Sequence, residues 1–413
     1  MTTMIKIGPF GIDQGRPQDF DDAIRMFAER RAMQPLTWRG SVATSRAICT
    51  STTGTLAVLI LTAWATGIGW SEPQAPRTSG ARIQMGEGHF NRDGKAFHYW
   101  DKEKEIPAVC SRCHSANGVP EYLREGKNSP SPQVKNAFAC TNCHADMLSY
   151  ARHPVAKVTF PSGLTVDSGH NDSNLCMTCH QGRESTASVN KAIGGLDPDK
   201  PDPKLTFVHV HYFPAGATRY GTEAKVGFEY TGKSYAGRFA HVPGADTCTG
   251  CHDAHGGAVA VAKCGGCHQG AQSVAGLPNI RMSSRGDFDG NGAEEGIARE
   301  VANLQRELYA AIQQYARTVG GASIAFTPEA HPYWHTDLNG NGKIDPEELR
   351  PNNRYGAYTP RLMQAVFNYT FVLRDPGAAY HNGRYTLQLL YDSLESLAES
   401  GKAGVNMRGK LRP

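Results

Sequence analysis

In the last third of the chain, apolar residues return every three or four positions. Within GIAREVANLQRELYAAIQQYART, residues Ile297, Val301, Leu304, Leu308, Ile312 and Tyr315 fall on one face of a helix. The same period predicts helices over 360–373 and 384–397, separated by the turn sequence Asp375-Pro376-Gly377. Between 83 and 276 no such period is sustained, because Gly, Pro and short polar stretches break every apolar run. Irregular loop and short helices are predicted there, with one exception: EAKVGFEYTGKSYAGRF, 223–239, alternates around a Gly-containing turn and predicts a small β-hairpin. A third pattern is the unbroken apolar run TLAVLILTAWA, 55–65. Preceded by Arg31, Arg39 and Arg46 and closed by Ala-Trp-Ala, it reads as a secretory signal peptide. Extended to Trp70 it could instead be retained as a membrane anchor, although it falls short of the ~20 residues that span a bilayer. The polar stretch ahead of it is long for a leader and points to Met33 as the true start.

These patterns divide the chain into a leader (1–70), a linker (71–82), a loop-rich segment (83–276) and an α-helical domain (277–413). The fold class they predict is mainly α with much irregular loop.

The cysteines change the picture of the loop-rich segment. The chain has 413 residues and 11 cysteines, and ten of these fall in five copies of Cys-x-x-Cys-His. The copies are Cys110, Cys113 and His114; Cys140, Cys143 and His144; Cys176, Cys179 and His180; Cys248, Cys251 and His252; and Cys264, Cys267 and His268. Two thiols three residues apart on one turn can each add to a vinyl group of one porphyrin, and the adjoining histidine then lies under the iron. Zinc has no use for a histidine after every second cysteine, and five pairs leave one over from four-ligand sites. A disulfide framework is disfavoured because bridges within Cys-x-x-Cys are usually redox-active rather than structural. Five covalent haems c are therefore expected, and 83–276 becomes a haem-cored cytochrome domain whose loops wrap porphyrin. Only Cys49 lies outside the motifs, and cleavage after Ala65 would remove it.

Charge adds one exclusion. The net charge is +4, but residues 1–65 carry seven basic against five acidic side chains, so half of that excess lies in the leader. Haem propionates would take the rest to neutral or below, which removes electrostatic support for a nucleic-acid partner.

In the helical domain, DLNGNGKIDPEE places Asp337, Asn339, Asn341, Asp345 and Glu348 at loop positions 1, 3, 5, 9 and 12 of an EF-hand-like calcium loop, with the Lys343 carbonyl at position 7. A second loop offers Asp287, Asp289, Asn291 and Glu295, but its position 12 is Ala298. One Ca²⁺ is expected, and a second site is a partial match. The ions would clamp the domain, and the two loops could pair across the intervening helix.

A haem's task depends on its sixth ligand: a second histidine closes the iron for electron transfer, whereas an open position admits substrate. Eleven histidines lie outside the motifs: His89, His98, His153, His170, His209, His211, His241, His255, His331, His335 and His381. Position in the chain favours His98, His153, His211, His241, His255 and His381, and His381 would tie the helical domain to a haem. If His209 and His211 share a strand face, only one of them reaches iron. Met85, Met147 and Met177 are sulfur alternatives.

The stretches FHYWDKEKEIPAVCSRCHS, CMTCHQGRESTASV, VHYFPAGATRYG and NYTFVLRDPGAAYHNGRYTLQLLYDS resemble multihaem, here pentahaem, c-type cytochromes of bacterial respiration. The closing Gly, His-Asn and long helix are distantly similar to the final helix of pentahaem nitrite reductases and octahaem hydroxylamine oxidoreductases. All five motifs end in His, however, with no Cys-x-x-Cys-Lys site of the nitrite reductase kind. The resemblance implies an electron-transfer protein more than an enzyme, exported to the periplasm or outer cell surface, with no side chain in a catalytic role. Its implied partners are cytochromes, quinol-oxidising membrane proteins or terminal reductases, with a homo-oligomer through the helical domain as a further expectation. The alternatives are a reductase of nitrite, hydroxylamine or a sulfur oxyanion with one open haem, and a structural subunit of a cytochrome assembly.

Overall fold

A computed structural model describes residues 89–90, 95–132, 137–281 and 285–413. The leader, the linker, Cys49 and Met85 lie outside the described residues.

The loop-rich segment is built from short pieces. Its helices are α1 (Lys95–His98), α2 (Ala108–His114), α3 (Gly118–Glu125), α4 (Asn171–Met177), α5 (Thr186–Ile193), α6 (Ala215–Tyr220) and α7 (Cys248–Cys251). Two minimal antiparallel ribbons accompany them: β1 (Glu105–Ile106) with β2 (Ser131–Pro132), and β3 (Val158–Thr159) with β4 (Thr165–Val166).

The helical segment holds α8 (Ile297–Tyr315), the ribbon of β5 (Ile324–Phe326) with β6 (Trp334–Thr336), α9 (Pro360–Leu373) and α10 (Ala378–Glu399). The residues that the period selected in α8, from Ile297 to Tyr315, are all buried. Thr359 caps α9 by accepting the Leu362 N–H, and Pro360 sits at the first turn, where its missing N–H costs nothing. Helix α10 begins earlier than its period predicts. A first turn through His381 ends at Asn382, whose backbone is extended at φ −166 and ψ 82. The Asn382 side chain then caps the longer, regular part of α10 by accepting the Tyr385 N–H at 3.1 Å.

The predicted hairpin at 223–239 does not form as a ladder. Side chains of the long helices take up its backbone groups instead. Asn368 accepts from the Phe228 N–H and donates to the Phe228 carbonyl, and Gln388 accepts from the Ala236 N–H. Alternation in that stretch marks one face laid on α9 and α10 rather than a strand paired with its neighbour. At Gly227 the approach is so close that a Cβ would lie 2.4 Å from Leu389 Cδ1. Buried apolar side chains of both segments, among them Met177, Val210, Tyr220, Val226, Leu308, Phe367 and Leu389, join in one cluster. Among the described residues, no helix is long and apolar enough to cross a membrane.

Candidate haem sites

Each Cys-x-x-Cys-His stretch folds as one helical turn. The motif histidine N–H reaches back to the carbonyl of the first cysteine in the second to fifth copies, at 3.0, 3.0, 2.8 and 2.8 Å, and the first copy lies within α2. A turn of this kind turns both thiols and the imidazole to one side, as attachment to a single porphyrin requires. All ten motif cysteines are unbridged.

The attachment points differ in how far the polypeptide itself covers them. Cys267 is exposed in the fifth motif, as Cys140 is in the second. The 3-10 turn Val261–Gly266, which leads into Cys267, buries only Val261, and the turn Cys140–Asn142 buries only Asn142, so little of either motif is anchored in the packed interior. Both thiols of the first, third and fourth motifs are partly covered by the polypeptide.

The imidazoles form a one-to-one set. His114 faces His211 with ring centres 5.9 Å apart, His144 faces His255 at 6.2 Å and His180 faces His89 at 5.9 Å. His252 faces His381 at 6.1 Å, and His268 faces His241 at 6.2 Å. Two metal–imidazole bonds of about 2 Å, plus about 1 Å from each coordinating nitrogen to its ring centre, separate such centres by about 6 Å. Aromatic contacts in general span a similar range, so distance alone is not diagnostic. What is specific is that every motif histidine has one partner from outside the motifs, and no partner serves twice. Each of the five motif histidines thus has one facing imidazole, at a distance that leaves room for an iron between the two rings.

The other ring nitrogen is tied down where the second coordination sphere needs it. The Nδ1–H groups of His114, His144 and His180 donate to the carbonyls of Ala96, Tyr150 and Phe213 at 2.8, 2.6 and 3.1 Å. That fixes the tautomer and leaves Nε2 with its lone pair for iron. Burial pushes the His180 and His211 pKa values down to about 4, keeping both in the neutral form that binds metal. His381 differs. Burial alone would lower its pKa, but the Asp375 carboxylate, 2.8 Å from Nδ1, holds it above the usual value. Asp375 is 3% exposed, so this pair is carried inside the protein. Gly377 makes room for it, since a Cβ there would lie 2.6 Å from the His381 ring.

Of the six histidines singled out by position, the structure brings His211, His241, His255 and His381 to motif histidines. Among the described residues, neither His98 nor His153 faces a motif histidine. His98 Nδ1 contacts Asp101, and His153 Nε2–H donates to the Thr141 carbonyl. His89 takes the remaining place opposite His180; nothing around it in the sequence distinguishes it. Met177 is packed in the core at 1% exposure, and Met147 is exposed.

The third motif lies between two others. The Cys179 thiol meets that of Cys113, and the Cys176 thiol meets that of Cys248. The backbone follows, with Cys179 Sγ 3.8 Å from the Arg112 carbonyl and the Cys248 N–H donating to Ser173 Oγ at 3.2 Å. Motifs four and five are joined by the Ala260 N–H, which donates to the Cys251 carbonyl at 2.8 Å.

The acidic loops share one architecture, although neither is flanked by the two helices of an EF-hand. Strand β6 leads into the 337–348 loop, and a 3-10 turn at Pro346–Glu348 closes it. Asp337 accepts the N–H groups of Gly340, Asn341 and Gly342, and Glu348 accepts those of Leu338, Asn339 and Asp345. In the first loop Asp287 accepts from Gly290, Asn291 and Gly292, and the role of Glu348 falls to Glu300, which accepts from Phe288, Asp289 and Glu295. Carboxylate oxygens of Asp287, Asp289 and Glu300 lie within 4.8 Å of one another. Counting to position 12 gave Ala298, and the missing carboxylate stands two residues later. Arg281, 3.2 Å from Glu300, offsets part of the charge here. The loops do not pair: one adjoins the start of α8, and the other meets Gln313 near its end, about 20 Å along the helix from Glu300.

No protein-family model matches the chain, and no solved structure matches it. Among characterised proteins it is similar to the C-type polyheme cytochrome OmcB of Geobacter sulfurreducens, 29% identical over 72% of this chain and 45% of the relative. It is likewise 28% identical to the C-type polyheme cytochrome OmcC of the same species, over 72% of this chain and 44% of that one. The chain spans about half the length of these relatives, and their homology supports a multihaem c-type cytochrome.

Proposed function

We propose that the chain is an extracytoplasmic electron carrier holding five covalent haems c, each iron closed by two histidines. The one-to-one pairing of the five motif histidines with His211, His255, His89, His381 and His241 carries this reading. Two axial imidazoles leave an iron no place for substrate, which favours electron transfer over reduction of nitrite, hydroxylamine or a sulfur oxyanion. Bound haem supplies a one-electron couple at each site. The protein's part is to set ligand, burial and nearby charge, and to keep porphyrin edges close. The sulfur contacts of the third motif support a route from the first haem through the third to the fourth and fifth, with the second alongside. The exposure of Cys140 and Cys267 favours the second and fifth haems as the points where electrons enter or leave. Export is supported by the apolar run at 55–65, and the donors and acceptors would be other redox proteins.

The loops at 287–300 and 337–348 would each hold Ca²⁺ through oxygen ligands, and the 337–348 loop would bind more tightly because, among the described residues, no arginine pairs with Glu348 as Arg281 does with Glu300. The ions brace the two ends of α8.

Electron paramagnetic resonance of the oxidised holoprotein, with its mass, tests the haem assignment. A mass of the chain plus five haems and only low-spin signals are expected. The His144 and His255 planes lie 3° apart, whereas His114 and His211 are inclined at 77°. Low-spin haems of distinctly different anisotropy should therefore coexist. A high-spin haem would instead favour the reductase.

A further inference from the structure

Arg374, the last residue before Asp375-Pro376-Gly377, is 5% exposed. Its Nε and Nη2 have no hydrogen-bond partner among the described residues. These two nitrogens form the side-on edge of the guanidinium, the edge that grips a carboxylate with two parallel bonds. The adjacent Asp375 is not available, since both of its oxygens face His381 Nδ1. Arginine cannot escape by losing its proton, so a buried guanidinium without an anion is a cost the fold would not otherwise carry.

The surroundings point to where the anion sits. The guanidinium lies 4.0 Å over the Tyr212 ring, 4.5 Å over Tyr333 and 5.5 Å over Phe326. Tyr212 in turn is 5.6 Å from the ring of His211, the residue opposite His114. His209 completes the wall, 4.8 Å from Tyr333, and its Nε2 is also buried without a partner. Two unanswered polar groups and two tyrosines thus converge beside one haem site, and haem carries two propionate carboxylates.

We propose that Arg374, with His209, holds a propionate of the haem attached at Cys110 and Cys113, between Tyr212 and Tyr333. This rests on the five-haem reading above. Arg374 is a positioning residue in it: the fixed positive charge orients the porphyrin and offsets the propionate, which favours the reduced haem.

The test is redox titration of exported holoprotein at pH 8, comparing wild type with Arg374→Leu and Arg374→Lys, with haem counted by mass and spin state read by magnetic resonance. In Arg374→Leu one couple should shift about tenfold toward the oxidised form, about 59 mV for one electron. The shift should be smaller in Arg374→Lys, with five low-spin haems kept in both. Five low-spin haems with unshifted couples would overturn the propionate cradle and leave the carrier reading standing. A wild type whose same couple moves on adding sulfate would assign the cradle to a free oxyanion and also overturn it. A wild type without haem at the first motif would overturn both readings. Should Arg374→Leu fail to accumulate, infrared difference spectra with haem labelled at the propionate carboxyl decide through Arg374→Lys: a moved carboxylate band supports the cradle, and an unmoved one overturns it.

Discussion

The two segments of this protein solve the problem of a core in opposite ways. Up to residue 276 the helices run four to eight residues, and the five motifs are single turns, two of them exposed at Cys140 and Cys267. Beyond it α8, α9 and α10 run 19, 14 and 22 residues and bury Leu304, Leu308, Ile312, Phe367 and Leu390 completely. Short elements cannot bury enough apolar surface to offset the entropy of ordering them, and the first segment shares its buried cluster with the second. The second is held by its own side chains. What it adds is chemical as well as mechanical: it sets His381 opposite His252, Asp375 against His381 and Arg374 over Tyr212.

That contrast can be broken where the two meet. His381→Ala should leave the fourth haem without its second imidazole and the buried Asp375 without its cationic partner, with the Gly377 N–H still donating to it. The expected result is one high-spin haem together with about 3–5 kcal/mol lost from thermal unfolding, and an unchanged spin state would separate the helical segment from haem ligation. Leu308→Ala, wholly inside the helical segment, should cost about 2–5 kcal/mol in the same unfolding experiment while every haem stays low-spin. A high-spin signal there would mean that the segments do not hold separately. The smallest effect is expected at the loops. Glu348→Gln should abolish the calcium-dependent rise in melting temperature from one site, and Glu300→Gln should remove a weaker one, both read by calorimetry with and without chelator; equal effects would contradict the role given to Arg281.

Much of this organisation is legible in the sequence, and the physics says which part. Haem attachment depends on groups within one turn, so Cys176, Cys179 and His180 announce it locally. How deeply each motif sits is not local, and the surface position of Cys267 could not be read from CGGCH. The helices are legible because burial of one face every 3.6 residues leaves its period at Leu304, Leu308 and Ile312. The partner imidazoles again depend on the fold. His98 and His153 stand beside motifs but turn to Asp101 and Thr141, whereas His89 has no distinguishing neighbour and is set opposite His180 by packing. Glu300 escaped because two extra residues shift it out of the expected loop register, although an acidic residue just past the end of a loop that lacks its last ligand was a usable signal. The stretch at 223–239 misled because alternation reports a half-buried extended chain, and Asn368 and Gln388 satisfy it as well as a strand would.

The opening turn of α10, with His381 held over Gly377 by Asp375, also bears on how the protein matures. In the five-haem reading proposed above, the Cys248–His252 motif and His381 lie far apart in the sequence, so the fourth iron would gain its second imidazole only when α10 docks on the loop-rich segment. Until then that haem would keep an open sixth position. Docking of α10 would then be the step that closes that position, and a variant in which α10 cannot dock should show a peroxidase activity that the intact chain lacks.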